Sequence, residues 1–161
     1  MKTLLFMLCL FPLFILGYGQ EVPKGANLVI FESDSLANLD LFKECILTLT
    51  SEGYSFDQID KDFFLASTKP IKPNKVNMEY RLDLSLVSQK IEIRSYVKSL
   101  DTFSSYASGL GHQSENTWER GANRSLSTSL WRYGWNKQIE IAGKIKEKIS
   151  GSISYSVEQN K

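Results

Sequence analysis

Across residues 76–86 apolar and polar side chains alternate without interruption. Val76, Met78, Tyr80, Leu82, Leu84 and Leu86 fall on one side; Asn77, Glu79, Arg81, Asp83 and Ser85 fall on the other. Successive side chains of a strand point to opposite faces, so the pattern predicts a strand with one dry and one wet face. Ser88-Gln89 then supplies a turn. Beyond it Ile91, Ile93 and Val97 alternate with Glu92, Arg94 and Lys98, which predicts a long antiparallel hairpin.

The rest of the chain divides around this hairpin. The run NLVIFE at 27–32 has the length of a buried strand. Ser33-Asp34-Ser35 offers N-cap oxygens to a helix predicted over 36–52, with Leu39, Phe42, Ile46 and Leu49 as its apolar stripe and Gly53 as its stop. Tyr54, Phe56 and Ile59 begin a second strand, Asp60-Lys61-Asp62 is a polar turn, and FFLAST at 63–68 is a third strand that halts before Lys69-Pro70. A second helix is predicted over 129–150. Trp135, Ile139, Ala142, Ile145 and Ile149 form its stripe, Trp131 extends it backward, Gly134 is a weak point inside it and Gly151 ends it. Ile153, Tyr155 and Val157 have the spacing of a final short strand, or of a frayed tail. Residues 101–125 are rich in Ser, Gly and Asn and keep no period. They read as a long irregular loop, with room for a short strand at 117–120.

The predicted order is therefore β-α-β-β-β-β-loop-α. Elements with one dry face must bury it against one another. The fold class expected is α+β: a two-layer sandwich in which an antiparallel sheet of four to six strands carries two helices on one face. The other face keeps the charged residues of the hairpin, as antiparallel sheets permit.

Several local motifs recur together. They are PKGANLVIF at 23–31, a helix ending in EGY at 52–54, a strand pair ending at Lys69-Pro70, the alternating hairpin and IEIAGKI at 139–145 in a tryptophan-bearing helix. Over about residues 23–155 this pattern resembles a group of small exported domains of Gram-negative bacteria with a helix-grip-like fold. Their function is largely unassigned, so the resemblance implies a fold and carries no catalytic residues with it.

The N-terminus adds an address. Lys2 is followed by an uncharged apolar run at 4–16 and then Gly17-Tyr18-Gly19, with small residues three and one positions before Gln20. These are the three parts of a cleavable signal peptide over 1–19. The run is shorter than the ~20 residues a spanning helix needs, and Cys9 lies in its middle, not at its end as a lipid-modified cysteine would. The mature protein is then one domain over 20–161. Lys2 is the one charged residue of 1–19, so of 19 basic and 18 acidic residues the mature chain keeps 18 of each. A balanced chain has no long-range field to gather phosphate backbones or anionic lipid, and nucleic acid is not an expected partner. No membrane segment remains after cleavage of the signal.

Candidate chemistry is sparse. Cys45 alone survives cleavage, among Leu41, Phe42, Ile46 and Leu49, and reads as a small buried hydrophobe in preference to a reactive or intermolecular thiol. One histidine, His112, stands in a serine-rich stretch without the strand-turn-helix context of a nucleophile elbow. A hydrolase built on it ranks last. One histidine and one mature cysteine do not make an ordinary zinc site. Asp57, Asp60 and Asp62 lack the glycine and distal glutamate of a calcium loop and read as turn residues. Gly109, Gly111 and Gly121 do not space as a phosphate loop. Asn123-Arg124-Ser125 matches the N-glycosylation pattern, which has meaning only in a eukaryotic secretory pathway. No cofactor is expected, and no enzymatic activity.

Aromatic residues remain. Trp135 and Trp131 fit the helix stripe and are expected in the core. Trp118 and Tyr133 do not, and with Phe103 and Tyr106 they are the candidate interaction residues. The expected function is a non-enzymatic interaction module of the bacterial envelope, periplasmic or secreted, with a protein partner. The alternative is a binder of a small apolar ligand held between sheet and helices.

N-terminal sequencing of the protein recovered from the envelope of a bacterial host is expected to begin at Gln20. A chain retaining Met1 would contradict the signal assignment.

Overall fold

A computed structural model describes residues 21–100, 118–124 and 130–159. Among these residues the elements run β1 (Leu28–Ser33), α1 (Asn38–Ser51), β2 (Phe56–Asp60), β3 (Leu65–Thr68), β4 (Met78–Val87), β5 (Lys90–Ser99), β6 (Glu119–Arg120), α2 (Leu130–Lys148) and β7 (Gly151–Ser156). The class is α+β, an open antiparallel sheet with two helices. Its strand order is β2-β3-β4-β5-β1-β7, with β6 beside β5. Two strands were not in the predicted order. The second half of the stretch read as a loop contains β6, and the chain after α2 forms β7 against the whole length of β1. Both are short or uncharged segments whose partners lie far away in sequence, so local periodicity understates them.

The hairpin forms as its alternation requires. β4 and β5 pair from Met78↔Ser99 to Val87↔Lys90. The connecting Ser88 and Gln89 both take positive φ, 49° and 66°, the two-residue turn whose twist matches the strands it joins. Met78, Tyr80, Leu82 and Leu84 of β4 join Ile91, Ile93 and Val97 of β5 and Val29 and Phe31 of β1 in one buried core.

Both helices contribute to that core, each rotated from the stripe read in sequence. α1 buries Leu41, Phe42, Cys45, Thr48 and Leu49, while Leu39 is exposed and Ile46 half-buried. Its N-cap is Ala37 without a side-chain cap. The Ser33 hydroxyl instead accepts from the amides of Ser35 and Leu36, shaping the turn before the helix. The C-terminus closes as expected at Gly53 (φ 87°). Gly53 N–H donates to Thr50 O and Tyr54 N–H to Leu49 O, both at 3.0 Å, while Tyr54 packs into the core beneath. Cys45 is fully buried, and burial, with the charge of Glu44 behind it, pushes its thiol up to about 12. The thiol is a packing group.

α2 buries Gly134, Trp135, Gln138, Ile141, Ala142 and Ile145. Ile139 lies on the flank of this face and Trp131 is half-buried. Gly134, read as a weak point, is a requirement of packing. A Cβ built there would stand 2.7 Å from Ser95 Oγ and from Val97 Cγ1, and one built on Gly121 would stand 2.1 Å from Ser95 Oγ. The α2 backbone, the backbone just after β6 and the small Ser95 meet where no larger side chain fits.

Replacing a helix-interior glycine by alanine ordinarily gains about 1 kcal/mol of helix propensity. At Gly134 overpacking of about 1–3 kcal/mol opposes that gain. Gly134→Ala is expected to lower the denaturation midpoint, and Gly134→Val to lower it further. A stabilised Gly134→Ala protein in urea unfolding would contradict the close approach.

Candidate functional site

β5 is paired with β4 along one side, but its other side is shared. β1 pairs it through Lys90 to Ile93, and β6 pairs it at Tyr96 and Val97. Gly121 N–H continues the β6 ladder onto Ser95 O at 2.8 Å. Between the two partners the backbone of β5 has a gap, and a side chain fills it. The Gln138 amide donates to Ile93 O (3.1 Å) and accepts from Ser95 N (3.0 Å) and Ser95 Oγ (2.8 Å). This orientation is set by the groups around it, since the reverse would face oxygen to oxygen and donor to donor. Leaving either buried backbone group unpaired would cost about 1–3 kcal/mol.

The parting of β1 from β6 opens a groove on the sheet face away from the helices. It encloses about 1080 Å³ between Leu28, Tyr96, Trp118, Arg120 and Glu158, and reaches Arg124 and Trp131 around the edge of β6. A second concavity of about 290 Å³ lies on the same face across β3, β4 and β5, and Tyr96 borders both. Between sheet and helices the space is occupied by side chains, Trp135, Phe31, Phe42, Leu82 and Ile93 among them, each at most 1 % exposed.

The residues of this face come from the wet positions of the hairpin. On β5 they are Glu92, Arg94, Tyr96 and Lys98; on β4, Arg81, Asp83 and Ser85. Arg94 donates to Glu92 (2.6 Å), Ser85 Oγ (2.9 Å) and Glu158 Oε2 (3.0 Å), and Arg120 reaches the same Glu158 oxygen at 2.9 Å. Burial works against the Arg94 charge, but its bonds to Glu158 and Glu92 outweigh that, and its pKa is raised. Glu158 is held below the ordinary carboxylate range, first by its bond to Arg94 and then by Arg120, against the opposing effect of burial. Asn27 fixes the backbone of Glu158 from both sides, donating to its carbonyl and accepting from its N–H at 2.8 Å each.

Beside this network cations and rings alternate. Lys98 lies 5.9 Å from the Trp118 centroid, Arg81 lies 5.1 Å from Trp118 and 5.2 Å from Tyr96, and Arg120 lies 5.9 Å from Tyr96. The Arg81 guanidinium thus sits between two rings. It also pairs with Asp83 at 3.6 Å, too long for a hydrogen bond. Such contacts contribute roughly 0.5–1 kcal/mol each at exposed sites and more when water is excluded.

Of the four candidate interaction residues, Phe103 and Tyr106 lie outside the described residues, as does His112. Trp118 belongs to the series just described. Tyr133 lies elsewhere: it is half-buried on the helix side of the sheet, with its ring 5.6 Å from the core residue Tyr80 and Lys137 over it at 5.9 Å. The structure does not bring Trp118 and Tyr133 together. Sequence reading missed Arg81, Tyr96 and Arg120 as members of a site because wet-face positions of a strand look alike until a neighbouring strand is laid beside them. Gln138 was passed over as a polar residue between two stripe positions.

Ser85 Oγ donates to Glu92 at 3.3 Å and accepts from Arg94 at 2.9 Å, so it belongs to the ion-pair network of this face. Asp60 Oδ1 accepts from the amides of Asp62 and Phe63, the role of a turn residue. Asn123 is engaged through both amide atoms: it donates to Pro23 O at 3.0 Å and accepts from Arg132, so a glycan there would displace the first of these bonds. Among the described residues no helix is long and apolar enough to cross a membrane. No family model and no curated protein matches the chain.

A group whose folded pKa is depressed contributes stability that is present above its unfolded value and lost as pH falls through the folded one. For Glu158 that window lies below the ordinary carboxylate range. Glu158→Gln is expected to lower thermal stability at neutral pH and to flatten the loss of Tm on acidification. Parallel Tm–pH curves for the two proteins would contradict the network.

Proposed function

We propose that this protein is exported and serves as a non-enzymatic interaction domain of the bacterial cell envelope. It engages a protein partner through the uncovered face of its sheet. The observation that carries this reading is the alternating series Lys98, Trp118, Arg81, Tyr96 and Arg120, of which Trp118, Tyr96 and Arg120 line the groove.

Tryptophan, tyrosine and arginine are the residue types on which binding energy concentrates at protein interfaces, where they fill desolvated pockets. Here the rings are held by the cations beside them, so little side-chain freedom remains to be lost on binding. The balanced charges of Glu92, Arg94, Arg120 and Glu158 suit a partner surface that is itself mixed in sign. A signal peptide over 1–19 and a net charge near zero agree with a partner met outside the cytoplasm. The uncovered face supports protein recognition better than the filled space between sheet and helices supports an apolar ligand.

The test is affinity capture from envelope extracts with three proteins: the unaltered chain, Trp118→Ala and Tyr133→Ala. The partner retained by the unaltered chain is expected to persist with Tyr133→Ala. With Trp118→Ala its affinity is expected to fall at least tenfold, about 1.4 kcal/mol. Equal retention by both variants would show that the partner does not use this face.

A further inference from the structure

The sheet has two outer strands, β2 and β7, and they are guarded differently. β2 carries Asp57 and Asp60, and its register shifts between Phe56 and Gln58. Charges and bulges are the usual means by which an edge is kept from pairing with another chain. β7 reads Gly-Ser-Ile-Ser-Tyr-Ser, without charge, proline or bulge, in unbroken register with β1 from Leu28↔Ser156 to Ser33↔Gly151. Among the described residues nothing pairs its outer side.

That edge is also anchored at both ends. At its start Gly151 lies so close to β1 that a Cβ would stand 2.3 Å from Glu32 O, and Ser150 Oγ binds Asp34 at 2.9 Å. At its end Glu158 is fixed by Asn27, Arg94 and Arg120. Asp34 N–H donates to Ser150 O, so the even-numbered residues of β7 turn their backbone groups to β1. By strand alternation Gly151, Ile153 and Tyr155 turn theirs outward.

We infer that the outer edge of β7 pairs antiparallel with the same edge of a second copy of this chain, with Ser154 opposite Ser154 at the axis. The occupant follows from the strand's complementarity to itself. In this register Ile153 meets Tyr155 of the other copy, a β-branched residue against an aromatic one, and the outward backbone groups of these two residues fall opposite each other. Val157, half-exposed, meets Gly151, which leaves room for it. Serines meet serines on the uncovered face, and no like charges oppose. A twofold pairing of this kind closes on itself and does not propagate. Ser156 and Val157 belong to both the pairing and the groove wall, but the rings and cations on β4, β5 and beside β6 do not, so Ser154→Lys tests the dimer and Trp118→Ala tests the partner site separately.

Sedimentation velocity on the protein recovered from the envelope of a bacterial host is expected to show a dimer. Ser154→Lys sets two ammonium groups against each other at the axis and is expected to weaken the dimer at least tenfold with an unchanged circular dichroism spectrum. Gln58→Lys on the other edge leaves it intact. The register is read by cysteine cross-linking in the same protein, whose Cys45 is buried. Directly opposed non-hydrogen-bonded residues lie ~4.5 Å apart at Cα, within disulfide reach. Ser154→Cys is expected to cross-link under mild oxidation and Ser152→Cys is not. A monomer at all concentrations, a dimer indifferent to Ser154→Lys, cross-linking through Ser152→Cys, or a monomer that carries a foreign chain on this edge would each overturn the inference.

Discussion

The architecture depends on β5 having three neighbours among the strands. One side is filled by β4, and the other must be divided between β1 and β6. A division of this kind leaves backbone donors and acceptors stranded where the two neighbours part, and a buried interior does not tolerate them. Gln138 resolves the problem by standing in for a missing residue of strand, with one amide atom on Ile93 O and the other on Ser95 N. For its side chain to reach, α2 must lie almost on the sheet. That proximity is the reason for glycine at positions 121 and 134 and serine at 95.

The same division shapes the face on the other side. If β1 followed β5 along its whole length, the face would be flat. Because β1 stops pairing near Ile93 and β6 begins at Tyr96, a groove opens between them. The groove is lined by residues from β1, β5, β6, the end of β7 and the segment after it. Arg94 and Arg120 converge on Glu158 and so bind the end of the chain to the middle of the sheet. The ion-pair network and the groove share Glu92, Arg120 and Glu158.

Much of the fold was legible in sequence where a single chain segment carries the whole signal. The alternation at 76–86 and the turn at Ser88-Gln89 predicted β4 and β5 closely, and Gly53 marked the end of α1. The helix faces were less legible. Cys45 was read as buried and is, but Thr48 and Gln138 are buried too, and a hydropathy stripe passes over such polar residues. The candidate site was only partly legible. Trp118 stood out as a large residue that fitted no stripe, while Tyr96 and Arg81 looked like any wet-face pair. Tyr133, singled out for the same reason as Trp118, packs beside Tyr80 on the far side of the sheet.

By itself, then, the order of residues determined the hairpin, its dry side and the positions of the two helices, because these follow from spacing within a few residues. It also determined the charge balance and the uncharged character of residues 151–156. Tertiary structure alone decided that residues 119–120 and 151–156 complete the sheet, that Gln138 repairs the ladder and that Arg81 stands between Trp118 and Tyr96. Each of these joins positions separated by long stretches of chain. Their free energy comes from groups that meet only after the backbone has closed, and no local pattern records them.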